Sequence, residues 1–261
     1  MNRTHIVALA AAMTITVAGF TAAQAPSGAT TENIGPNATI VRTVTGKMAF
    51  RTIGDGRRRG GEDFRLLVYP DGSRQIQISK DFSAVNAQHT MVARVDARFR
   101  PLETFASYWS PAGYKGSIFV TITGNQLRAL ASGPKGVTED AREVPERVVV
   151  VHHGEIMNGW YLWPDFAAPE GLAGPQTVAT YNINAAPRGD AQVSGIYHDS
   201  TFTRIGTETI TTPAGTFDTV RYRLSELDLW VGGEDKLLIR QTDTKNDREY
   251  VLVEVNIVRN R

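Results

Sequence analysis

His152, His153 and Glu155 stand within four residues of one another, with Tyr161 and Asp165 close behind, and these side chains move protons near neutral pH. One histidine sharing a proton with a carboxylate or a tyrosine, in a dry pocket, suits a lyase, isomerase or hydrolase that needs no cofactor. Neighbours on a strand face opposite ways, so His152 and His153 serve one site only if they lie in a loop. His89 and His198 are distant in sequence and no H-x-H or HExxH spacing occurs, so no metal and no cofactor is assigned. Nucleophilic hydrolases of the familiar kinds lack their signature here, because there is no G-x-S-x-G elbow and no cysteine. The run from Gly54 to Gly61 lacks the Gly-Lys-Ser/Thr ending of a phosphate loop and reads as a solvated hairpin connection.

The same stretch also has the makings of a binding site. Residues 152–166 hold two of the four tryptophans, Trp160 and Trp163, together with Tyr161 and Phe166. Aromatic walls with a few polar handles suit an apolar ligand. The alternative is that Trp160, Trp163 and Phe166 simply cap the open end of a sheet as core, and a plug that leaves a hollow beside it satisfies both readings. Tyr108 and Trp109 end another expected strand and are candidates for the rim of the same pocket, or for packing.

The elements that must position these residues are strands. Phe64, Leu66 and Val68, then Ile76 and Ile78, alternate with polar residues at period two, and Tyr69-Pro70-Asp71-Gly72-Ser73 between them has turn chemistry. The spacing predicts an antiparallel hairpin over 62–82. Similar short segments recur around 91–109, 115–131, 201–224, 228–242 and 249–258, with no βαβ alternation. The fold class expected is mainly β: an antiparallel meander of about ten or eleven strands curled into a half-barrel, with residues 152–175 as a loop or short-helix lid.

Arg3 and His5, the apolar run Ile6–Phe20 and the small residues to Ala25 have the order of a secretory signal peptide, cleaved after Ala23 or Ala25. Residues 26–37 read as a loose leader and 38–261 as one β-rich domain. Cleavage after Ala25 leaves 236 residues with 27 basic and 27 acidic side chains, a balance that steers nothing toward nucleic acid. Without cysteine there is neither a disulfide nor a lipidated anchor, so a periplasmic or secreted chain with no stable membrane anchor after processing is expected. Its oligomeric state is left open.

The segment from Ile210 to Tyr222, with Thr212-Pro213-Ala214-Gly215 at its turn, resembles the hairpin of the exported bacterial family catalogued as DUF3108. Val95-Asp96 with Phe99-Arg100-Pro101-Leu102, and Asp228-Leu229-Trp230 followed by Asp235 to Arg240, extend the resemblance over roughly residues 90–258. It implies a half-barrel similar to the lipoprotein carriers LolA and LolB, wrapped around a hydrophobic cavity under a lid, and it assigns no catalytic residue. The partner expected is a hydrophobic small molecule or lipid.

Overall fold

The computed structural model describes residues 39–82, 86–110, 115–168, 174–184 and 193–260, all within the compact unit Ala38–Arg261; the expected signal peptide and leader lie outside the described residues. One sheet contains fifteen strands. They are β1 (Arg42–Arg51), β2 (Arg58–Val68), β3 (Arg74–Phe82), β4 (Ala87–Val95), β5 (Pro101–Trp109), β6 (Lys115–Thr123), β7 (Gln126–Gly133) and β8 (Gly136–Glu143), then β9 (Val148–Val151), β10 (Pro175–Asn184), β11 (Ser194–Thr212), β12 (Gly215–Leu224), β13 (Leu227–Gly232), β14 (Leu237–Asp243) and β15 (Arg248–Arg259). Their order is β8-β7-β6-β5-β4-β3-β2-β1-β15-β14-β13-β12-β11-β10-β9, so two meanders meet where β1 pairs with β15.

The mainly β, antiparallel class is as the alternation predicts, but there are fifteen strands where about ten or eleven were expected. The four unforeseen strands each escape period two for a physical reason. In β1 a glycine at 46 interrupts the apolar phase, and a Cβ there would lie 2.3 Å from the Glu254 carbonyl and 2.8 Å from the Phe64 ring. Polar β8 is an exposed edge, protected from stray pairing by its charges. In β9 four valines run together because the strand is buried on both faces, and it forms the sheet's one parallel pairing among the described residues, with β10. Val178 to Tyr181 in β10 are buried in succession for the same reason.

The hairpin over 62–82 is present as β2–β3, with the Tyr69 N–H reaching the Ser73 carbonyl at 3.0 Å and Gly72 at φ +80°, a conformation that favours glycine. The two ends of the sheet, β8 and β9, are not hydrogen bonded to each other. Side chains bridge the gap, with the Arg142 guanidinium of β8 lying 5.1 Å from the Tyr197 ring of β11.

Between β9 and β10 the chain turns inward as a 3₁₀ helix (Glu155–Leu162) continuing into a single turn, α1 (Trp163–Phe166). The sheet's concave side must be covered by something apolar, and this segment covers it: Ile156, Met157, Trp160, Leu162 and Trp163 are all buried in the core cluster. The plug lies tight on the β13–β14 turn. A Cβ on Gly159 would sit 2.0 Å from the Lys236 carbonyl, so only glycine fits there. At the far end the Trp163 indole donates to the Val148 carbonyl at 3.0 Å. Trp163→Phe removes that buried hydrogen bond, and urea unfolding should show a loss of about 1–2 kcal/mol.

Candidate functional site

Residues directly opposite on paired strands share a face, and the register places Met48, Glu62, Lys80, His89 and Tyr108 in one inward row across β1 to β5. The adjoining inward row, Gly46, Phe64, Ile78, Met91, Ala106 and Ile118, carries no charge. A polar band thus crosses an otherwise apolar wall, and the start of the plug docks on it. Both oxygens of Glu62 accept backbone N–H groups at the helix start, from Glu155 at 3.1 Å and Ile156 at 2.6 Å. Gly154, the residue preceding the helix, makes no side-chain cap bond, so the barrel wall caps the plug. Lys80 donates to the His153 carbonyl at 2.9 Å and pairs with the Glu155 carboxylate. Its ammonium lies 4.6 Å from the Phe50 ring and 5.1 Å from the Phe82 ring.

Burial first and the neighbouring Glu155 second push the Glu62 carboxyl up to about 8, against the pull of Lys80 and the two N–H donors. Burial, then Lys80 and His153, push His89 down to about 3. Burial, then His153 and Lys80, push His152 down to about 3. Both histidines are therefore neutral at physiological pH.

The expected proton-transfer residues divide between separate surroundings. His152 is buried, its Nδ1 accepting the Gly154 N–H at 3.0 Å, while its backbone N–H and carbonyl both engage the Tyr161 hydroxyl at 3.0 Å. His153 is exposed, with its ring 5.7 Å from that of His89 and 6.1 Å from that of Tyr108. Glu155 is committed to Lys80. Asp165 is buried on α1 and accepts the Tyr222 hydroxyl at 2.7 Å, with Arg204 at 3.5 Å. The two rim candidates part company: Tyr108 is buried, and Trp109 next to it is 41% exposed on the outer face. Trp160 donates to the Asp235 carbonyl at 2.8 Å, Tyr161 and Trp163 are core, and half-buried Phe166 packs 5.9 Å from Phe99. Among the described residues no group of three His, Cys, Asp or Glu is placed to hold a metal ion.

Beside the plug an apolar groove of about 270 Å³ remains on the concave side, walled by Val44, Leu237, Ile239, Leu252, Val255 and Ile257 with Phe217 of the β11–β12 hairpin, and edged by Gly232 to Asp235. Val44 and Ile257 are cross-strand partners, and Ile257 is 53% exposed at the opening. Neither the groove nor the polar band figures in the reading of residues 152–166. Two signals for the band do exist in the sequence: Glu62 and Lys80 fall on the apolar phase of their strands, where a charged residue is costly unless it is paired.

These features define an open, barrel-like β-sheet plugged from within. No family model matches the chain, and no curated protein matches it significantly in sequence. Among solved structures it is similar to a DUF1089 family protein from Pseudomonas aeruginosa, with 12% identity over 68% of this chain and 87% of that one, at a TM-score of 0.41. It is also similar to a beta-barrel-like protein of DUF1849 from Brucella abortus, with 8% identity over 85% of this chain and all of the other, at a TM-score of 0.43.

Proposed function

We propose that the protein is a soluble periplasmic binder of a hydrophobic small molecule or single lipid chain, exported by residues 1–25 and sharing with LolA-like and DUF3108 proteins the use of a concave sheet as a container. The apolar groove beside the plug carries this reading, because seven apolar side chains converge there and its mouth is open to solvent at Ile257. Its 270 Å³ equals roughly nine water volumes at about 30 Å³ each, room for one alkyl segment and not for a diacyl lipid. Removing about 300 Å² of ligand surface from water at about 25 cal/mol per Å² contributes roughly 7–8 kcal/mol before the costs of association, which supports binding in the micromolar to sub-millimolar range.

Titration with the fluorescent probe N-phenyl-1-naphthylamine tests this. Ile257→Trp fills the mouth from an exposed position, and probe affinity should fall at least about tenfold while thermal stability is kept. Equal binding by the variant would refute the groove as the site. An acid–base enzyme is the second reading. It draws on the neutral His89 beside the exposed His153, but Glu62, Lys80 and Glu155 already spend their polar atoms on holding the plug.

A further inference from the structure

The groove has a charged rim, and its charges do not balance. The register puts Arg259, Arg42, Val68 and Arg74 in one inward row of β15, β1, β2 and β3, at the barrel mouth. Two residues further along β1 and β15, the pair Val44 and Ile257 belongs to the groove wall. The turn between β13 and β14 brings two carboxylates to the three guanidiniums, and both carboxylates edge the groove. Asp235 pairs with Arg42 and with Arg74, the latter at 3.1 Å. Glu234 lies 2.9 Å from Arg42 and 2.5 Å from Arg259. Asp235 and the Arg42 side chain are buried, whereas those of Glu234 and Arg259 are 48% and 62% exposed.

Arg42 and Arg259 face one another directly across the ladder, an arrangement that repels unless an anion lies between them. A single exposed carboxylate supplies that anion, and water competes for it. From this juxtaposition we infer that the groove takes an amphiphile with an anionic head, an alkyl chain ending in a carboxylate, whose head joins Glu234 between the Arg42 and Arg259 guanidiniums while its tail lies on Val44, Leu252 and Ile257. Arg42 already gives Nε and Nη2 to Asp235 and Nη1 to Glu234, so it contributes charge, and the two-point fork that meets the head carboxylate is that of the more exposed Arg259, which donates to Glu234 through Nη2. A cationic head of the same tail length meets a rim of three guanidiniums against two carboxylates, net positive, and is disfavoured; a neutral head gains only the tail contacts.

This inference rests on the groove being the binding site, and the experiment separates the two. The mature protein is titrated at pH 7.5 and low salt with decanoate, decanol and decyltrimethylammonium, each below its micelle concentration, by displacement of N-phenyl-1-naphthylamine. Decanoate should bind at least about tenfold more tightly than either of the others, and high salt should narrow the gap. Arg259→Gln, at an exposed position near the chain end, should bring decanoate down to the level of decanol and leave decanol unchanged. If decanol binds as well as decanoate, or if Arg259→Gln weakens both equally, the anionic head is refuted and the groove stands. If none of the three displaces the probe, the groove itself is refuted as the site.

Discussion

Stability should peak near pH 6.5 and fall by about 4 kcal/mol on going to pH 4, an amount comparable to the whole stability of many domains. The sign follows from which state binds the proton. His89 and His152 titrate near 6.5 when unfolded and near 3 when folded, so between those values the unfolded chain holds protons that the folded chain does not. Their contribution is complete above pH 6.5 and is lost as the pH drops below it. Glu62 runs the other way: its folded carboxyl holds a proton up to about 8 that the unfolded chain releases above 4.5, so its contribution is present at low pH and lost as the pH rises through 8. From pH 8 to 6.5 acidification therefore stabilises. Between 6.5 and 4.5 His89 and His152 by themselves outweigh one carboxyl, for a net loss of about 1.4 kcal/mol per pH unit that doubles below 4.5, and His153, pushed down by partial burial and by Lys80, adds in the same direction. Urea midpoints at pH 8, 6.5, 5 and 4 give the profile directly. His89→Phe, placed beside Phe82 and Tyr108, should remove one proton from the slope below 6.5. Midpoints that rise from 6.5 to 4.5 would mean that the imidazoles titrate as they do in water and only Glu62 is shifted.

Replacing Lys80 by methionine should cost about 3–5 kcal/mol, because it keeps the stem's volume and strands the Glu155 carboxylate in the interior without a cation. The cost is raised by the loss of the ammonium over Phe50 and Phe82. For a domain of this size the melting temperature should fall by roughly 10 °C, at about 2–4 °C for each kcal/mol. The double variant Lys80→Met with Glu155→Leu places apolar groups of similar volume where the pair was, and should recover to within about 1 kcal/mol of the wild type. A double variant no more stable than Lys80→Met would show that the ion pair is not what holds the start of the plug. A loss below about 1 kcal/mol in the single variant would assign that work to Glu62 and its two backbone partners.

The amino-acid sequence by itself determined the class and the punctuation. Alternation at period two marks which face of β2, β3, β4 or β7 is buried, proline and glycine mark the turn at 69–73, and the loss of rhythm after His152 marks the segment that leaves the sheet. These signals are local, and each needs only the residues beside it. Strands buried on both faces, such as Val148–Val151, and polar edges, such as Gly136–Glu143, carry no such alternation and became visible only in the assembled sheet. The aromatic residues of 152–166 were legible as a plug or a pocket wall; the structure places Trp160, Tyr161 and Trp163 in the core and Phe166 at its margin.

Cross-strand register lay beyond the sequence, because periodicity says which way a side chain points and not which residue of another strand stands opposite. That choice belongs to the turns, the bulges and the packing of the whole sheet. It joined Glu62, Lys80, His89 and Tyr108 into one band, set Arg42 against Arg259 across nearly the full length of the chain, and left Val44 and Ile257 side by side at the mouth of an apolar groove.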